Sequence, residues 1–198
     1  MKVVAVSQRV DVLAERGETR DALDQRLVDF LLTGGLLPVP VPNTLSATAD
    51  ALQTWLDRLA PQAIVLSGGN DLGEQPARDM TEARLLEHAR ANHLPVLGIC
   101  RGMQMLGHWA GSRLKPVSGH VRTRHRLSGR IVAEVNSYHG LALADCPEDF
   151  DVLARSEDGE IEAIGHRSLP WEGWMWHPER EQVFAVHDLA RLRALFGE

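Results

Sequence analysis

Short apolar runs alternate with stretches of helical periodicity through the first half of the chain. Residues 3–6 (VVAV) read as a buried strand. Residues 19–32 read as a helix, because Ala22, Leu23, Leu27, Phe30 and Leu31 recur at helical spacing. Gly34 and Gly35 end it. Residues 36–41 read as a strand whose prolines place it near a sheet edge. Residues 48–59 put Leu52, Trp55, Leu56 and Leu59 on one helical face. Residues 63–66 are a buried strand, broken at once by Ser67-Gly68-Gly69-Asn70-Asp71. A helix over 81–91, a strand over 95–99 and a helix over 102–110 follow.

After residue 112 the rhythm changes. Residues 131–135, 152–155, 161–166 and 171–175 read as strands, divided by Asp158-Gly159 and Pro170. Residues 183–196 read as helical. Wholly apolar strands between helices predict a mainly parallel sheet covered on both faces. The expectation is one α/β domain over residues 1–198, with a β-rich C-terminal half.

Composition narrows the function classes. Hydrophobic residues are 44% and charged residues 24% of the chain, as expected for a soluble globular protein. A formal charge of −6 gives no bulk case for nucleic acid binding. No apolar run approaches a membrane span, and the N-terminus lacks the pattern of a secretion signal. Two cysteines, Cys100 and Cys146, then read as free thiols in a cytoplasmic protein. Cys146, before Pro147, reads as structural.

Cys100 is different. It lies between Gly98 and Gly102, where a strand becomes a helix. A nucleophile on such a turn stands at the C-terminal end of a parallel strand, where α/β proteins bind ligands. The helix start favours an anion there, and the N–H of Arg101 faces an oxyanion formed on attack. A cysteine nucleophile needs a base. Among nine histidines, His177 stands out. It ends the apolar Trp174-Met175-Trp176 run and opens His177-Pro178-Glu179, so Glu179 can fold back to hold the imidazole. The Gly68-Gly69 turn can offer a second oxyanion donor.

Together G-I-C-R-G-M-Q, the downstream H-P-E and the upstream S-G-G-N-D resemble the class I glutamine amidotransferases, including their γ-glutamyl hydrolase branch. The resemblance runs essentially the full length. It implies a flavodoxin-like doubly wound fold with Cys100 as nucleophile, His177 as base and Glu179 as its orienter. It implies oxyanion donors at Arg101 and the Gly68-Gly69 turn. Gln104 matches the glutamine that helps bind a γ-glutamyl group. Asn136-Ser137-Tyr138-His139 matches the segment that holds its α-amino and α-carboxylate ends. The implied substrate is a small γ-glutamyl amide, either glutamine or γ-glutamyl-CDP-amidate. The S-Q-R-V-D start, S-G-G-N-D-L, V-N-S-Y-H and W-H-P-E-R look most like the branch acting on the CDP compound in capsule phosphoramidate synthesis. The alternative is a glutaminase subunit serving a partner synthase, and a homodimer also stays open. No cofactor is implied.

Some residues lie outside these motifs. Residues 102–133 contain no acid but hold Arg113, Lys115, Arg122, Arg124, Arg126 and Arg130, with His120 and His125. Such a stretch is either a phosphate-binding cluster or a solvated face. No cysteine or carboxylate accompanies the two histidines in the segment, so no metal site is expected. Arg9, Asp11, Glu18 and Arg20 follow the first strand, where they either read a nucleotide or an α-carboxylate or, by default, form surface ion pairs. Trp174 and Trp176 share a strand face and read as core.

Overall fold

A computed structural model describes residues 1–197, the side chain of Ala49 excepted. In chain order the strands are β1 (Lys2–Val6), β2 (Arg9–Leu13), β3 (Glu18–Ala22), β4 (Leu36–Pro40), β5 (Ala63–Leu66), β6 (Val96–Ile99) and β7 (Leu114–Pro116). They continue with β8 (Val121–Arg126), β9 (Ser128–Gly129), β10 (Glu134–Tyr138), β11 (Leu141–Leu143), β12 (Phe150–Arg155), β13 (Ile161–His166) and β14 (Trp171–Trp174). The helices are α1 (Gln25–Thr33), α2 (Ala49–Leu59), α3 (Pro76–Asn92), α4 (Arg101–Trp109) and α5 (Val186–Phe196).

Eight strands form the central sheet in the order β4-β1-β5-β6-β14-β13-β12-β9. Pairings from β4 through β14 are parallel, and those from β14 to β9 are antiparallel. The proline-bearing β4 lies at the edge, where missing N–H groups do no harm. β5 and β6 are buried at every position because helices cover both faces. On one face α1 and α5 contribute Leu27, Phe30, Leu31, Leu192 and Phe196 to a core with Val4, Val65 and Ile99. On the other, α2, α3 and α4 contribute Leu52, Leu56, Leu85, Leu86, Met103 and Leu106 against Ala5, Ile64 and Val96. Trp174 and Trp176 are core, their rings stacked at 5.3 Å.

The structure departs from the sequence reading in places. Residues 18–22 are not the start of a helix. They pair with β2 in a hairpin turned at Gly17 (φ 63°), and the helix starts later, where the Asp24 side chain accepts the Arg26 N–H. A chance spacing of Ala22 and Leu23 imitated one more turn. α3 begins at Pro76 because proline suits a first helical turn, although its opening residues are polar. The strand expected over 131–135 is displaced to β10, and β8 within the basic stretch is its antiparallel partner. The final helix begins only at Val186.

Candidate active site

β6 delivers Cys100 to the C-terminal edge of the parallel strands. Its backbone is held at φ 51°, ψ −105°, a conformation that costs a non-glycine residue about 1–3 kcal/mol. The surroundings impose it. A Cβ at Gly102 would stand 2.1 Å from the Leu66 carbonyl oxygen, and one at Gly98 would stand 2.5 Å from the Gly102 carbonyl oxygen. Only glycine allows strand, turn and helix to approach so closely. The Cys100 N–H donates to the Trp174 carbonyl at 2.7 Å, tying the turn to β14. The N–H of Arg101 lies in the first turn of α4, where no intrahelical carbonyl reaches it.

β14 ends beside β6, and the chain then runs through Met175 and Trp176 to His177. His177 is buried, and its Nδ1 stands 2.6 Å from Glu179 Oε1. Burial disfavours the imidazolium. Interactions with Cys100 and Glu179 outweigh it and push the His177 pKa up to about 9. A Cβ at Gly68 would lie 2.7 Å from His177 Cε1, so the glycine turn after β5 and the imidazole are in close contact. Cys100, His177, Glu179 and the Gly68-Gly69 turn are therefore brought to one place. A small cleft of about 60 Å³ beside them is lined by Arg9, Asp24, Gly68, Gly69, His177 and Arg180 among others.

The other expected residues have mixed positions. Gln104 is buried one turn into α4, its amide donating to the Leu141 carbonyl at 2.9 Å. Asn136 clasps His177 from outside: its Oδ1 accepts the His177 N–H and its Nδ2 donates to the His177 carbonyl. The Ser137 hydroxyl is wholly buried and donates to the His120 carbonyl, so it is already engaged. Tyr138 is half-exposed, edge-on to His177, with the Arg180 guanidinium over its ring. His139 points into a separate cluster with His120, His125 and Glu162. That cluster corrects the reason for expecting no metal ligands, since the tertiary structure supplies the carboxylate the local sequence lacks.

Half of the six basic side chains in this stretch are neutralised by ion pairs. Arg124 pairs with Glu134 and Glu181, Lys115 with Glu160, and Arg130 with Asp151. Arg9–Asp11 and Arg20–Glu18 are exposed surface pairs. Cys146 hydrogen-bonds the Phe150 carbonyl, and burial pushes its thiol pKa up.

Sequence reasoning missed a buried ionic support under the turn. Arg78 of α3 pairs with Glu82 at 3.0 Å and donates to the carbonyls of Ser67 (2.6 Å) and Gly68 (3.0 Å). Burial lowers its pKa to about 10, so it stays charged at neutral pH. The Arg101 side chain turns back to the same group, meeting Asp79 and Glu82. The i,i+4 spacing of Arg78 and Glu82 was visible, but nothing local marked the pair as buried. Ser7 adds a further tie, its hydroxyl accepting the Ser67 N–H and its carbonyl accepting the Ser67 hydroxyl.

Fold and site together define an α/β protein with a cysteine on a strand-to-helix elbow beside a carboxylate-held imidazole. The chain belongs to the glutamine amidotransferase class-I family, which matches residues 24–189. Among relatives, a γ-glutamyl-CDP-amidate hydrolase of Campylobacter jejuni is 35% identical over 61% of this chain and 63% of its own length. An aminodeoxychorismate synthase of Streptomyces griseus is 39% identical over 68% of this chain but only 19% of its own. The chain thus spans less than two thirds of both. A glutamine-hydrolysing GMP synthase subunit of Methanothrix thermoacetophila is 33% identical, covering 70% of this chain and 78% of the relative. A solved glutamine amidotransferase of Thermotoga maritima superposes with a TM-score of 0.63 over 99% of this chain and 82% of its own, at 16% identity. That likeness speaks for the fold alone. No helix among the described residues is long and apolar enough to cross a membrane.

Proposed function

We propose that this protein hydrolyses the side-chain amide of a γ-glutamyl compound through a thioester on Cys100, with γ-glutamyl-CDP-amidate as substrate. The observation that carries the reading is the strained Cys100 elbow next to an imidazole that Glu179 holds at 2.6 Å. The raised pKa of His177 keeps its ring protonated at neutral pH beside the Cys100 sulfur. In the first half-reaction the thiolate adds to the γ-carbonyl carbon. The oxyanion is met by the N–H of Arg101 and of the Gly68-Gly69 turn. His177 gives its proton to the leaving nitrogen as the C–N bond breaks, and a γ-glutamyl thioester remains. In the second half-reaction neutral His177 takes a proton from water, the hydroxide adds to the thioester, and glutamate leaves as the thiolate reforms.

Gln104 and the Asn136–Tyr138 segment border the acyl group in this reading, while the expected contribution of the His139 side chain is dropped because its ring points into a separate cluster. Ser137 would contribute through its backbone, because its hydroxyl is occupied. The preference for the CDP compound rests on the S-Q-R-V-D, S-G-G-N-D-L and W-H-P-E-R segments and on the Campylobacter relative.

A second reading, a glutaminase subunit docking on a synthase, is favoured by one surface feature. Leu72, Met80, Ala83, Met105 and Trp109 line an apolar hollow of about 800 Å³ between α3 and the elbow helix α4. Relatives named as subunits, such as the Methanothrix protein, agree with it. The deciding experiment is glutamate release by the isolated protein from glutamine and from γ-glutamyl-CDP-amidate, with Cys100→Ala as control. Fast release from the CDP compound alone supports the dedicated hydrolase. Slow release from both, rising when a synthase is added, overturns it in favour of the docking glutaminase.

A further inference from the structure

A second group of buried titratable side chains adjoins the segment carrying Asn136 and Ser137, and the proposed reaction makes no use of it. His120 precedes β8, His125 lies in β8, His139 follows β10, and Glu162 lies in β13. One ligand atom from each lies within 4.8 Å of all the others.

Hydrogen bonds fix where the protons are. His139 Nδ1 stands 3.1 Å from the Leu141 carbonyl oxygen, which can only accept. The Nδ1 therefore carries the proton and Nε2 offers a lone pair. His120 Nε2 stands 2.8 Å from an Asp158 carboxylate oxygen, so its proton is there and Nδ1 offers a lone pair. These two lone pairs face each other at 3.2 Å. Glu162 Oε1 lies 3.3 Å from each. With both rings neutral, three acceptors converge with no proton among them. Glu162 is wholly buried, and neither of its oxygens finds a hydrogen bond; nor does the buried Nε2 of His125. Left so, the arrangement is strongly unfavourable. A single proton could bridge one edge of the triangle. A cation at its centre satisfies all three.

The dimensions decide which cation. Tetrahedral coordination with bonds of about 2.0–2.1 Å has ligand–ligand edges of about 3.3–3.4 Å. The triangle has edges of 3.2, 3.3 and 3.3 Å. His125 is the ligand that has to shift to complete the fourth vertex. Three imidazoles and one carboxylate suit zinc, not calcium or magnesium, which prefer all-oxygen sets. The partners of the distal nitrogens, Asp158 and the Leu141 carbonyl, are the kind that orient metal-bound imidazoles.

We propose that His120, His125, His139 and Glu162 form a structural Zn²⁺ site tying the β8–β10 hairpin to β13. Four protein ligands close the coordination sphere, which marks a site for stability, not for chemistry on a bound water. The hairpin it anchors carries Asn136, whose side chain clasps the His177 backbone.

The test uses the full chain, free of affinity tag and carrying Cys100→Ala, so that the elbow thiol cannot ligate. After chelator treatment, Co²⁺ is titrated in and then displaced by Zn²⁺, with metal per chain measured by mass spectrometry. The expected result is one metal per chain, the intense visible absorption of tetrahedral Co²⁺, and a Tm that rises with metal. Glu162→Gln and His125→Ala should each weaken Co²⁺ binding at least about tenfold. A folded protein that takes up no stoichiometric metal overturns the proposal. So does a Co²⁺ signal that survives both substitutions. Neither outcome depends on the proposed reaction, because uptake is read without substrate.

Discussion

Two buried histidine–glutamate groups lie in the β-rich half of the chain, and they are built on opposite proton arrangements. At His177 the imidazole Nδ1 meets a carboxylate that accepts its proton, and the ring is easily charged. At His120 and His139 the outward nitrogens are already donating, to Asp158 and to the Leu141 carbonyl. Their inward nitrogens and Glu162 present lone pairs to one another. The same residue types thus suit proton transfer in one place and cation binding in the other. What differs is whether the glutamate meets the ring nitrogen that donates or the one left with a lone pair, and that is set by backbone position, not by residue identity.

The sharpest way to separate the two groups is at the thiol. Cys100→Ala should reduce glutamate release by at least about 10⁴-fold, since no nucleophile remains, while metal uptake is unchanged. Retained turnover would move the chemistry elsewhere. Next in size is Arg78→Met. It leaves Glu82 as a buried charge with a poorer partner set and releases the Ser67 and Gly68 carbonyls. A loss of about 3–5 kcal/mol is expected in urea unfolding. A change below about 1 kcal/mol would show that Arg101 compensates.

Glu179→Gln should lower kcat/KM on the order of 10²-fold and leave Co²⁺ binding intact, the reverse of Glu162→Gln. It should also alter the pH dependence. His177 has a pKa raised in the fold, to about 9 from an ordinary 6.5. Its protonated form therefore stabilises the fold fully below about 6.5, and that contribution is lost as pH rises through about 9. Activity that needs the imidazolium should fall through the same alkaline range. In Glu179→Gln the alkaline limb should move to lower pH; a pH–rate profile that does not move would rule out Glu179 as the group holding the ring. The smallest effect is expected at the exposed Arg20–Glu18 pair. Arg20→Ala should change stability by less than about 1 kcal/mol and neither activity nor metal binding, as read by thermal melts and the same assays.

Much of this was legible along the chain. The paired glycines around Cys100 announced the elbow, because a Cβ at either one would collide with backbone. His177-Pro178-Glu179 put imidazole and carboxylate two residues apart, close enough for local sequence to specify their contact. The all-apolar β5 and β6 announced a sheet covered on both faces. Other features were not legible. β8 has a single apolar residue and is strongly basic, so nothing marks it as a strand until its partner β10 is known. Ser137 reads as a free hydroxyl, and only the neighbouring turn shows that the His120 carbonyl takes it. Arg78 lies before the helix expected over 81–91, and only the packing of α3 against β5 buries it.

Local sequence was enough for the alternation of strands and helices, the strained thiol and the pairing of the His177 imidazole with the Glu179 carboxylate, because each depends on residues within a few positions of one another. Which charges are buried and which lone pairs meet was left to the packing of distant segments. Glu162 reaches His120, His125 and His139 only after β13 has paired in the sheet and the β8–β10 hairpin has folded over it. Contacts of that kind are fixed by how the layers stack, and no local pattern encodes them.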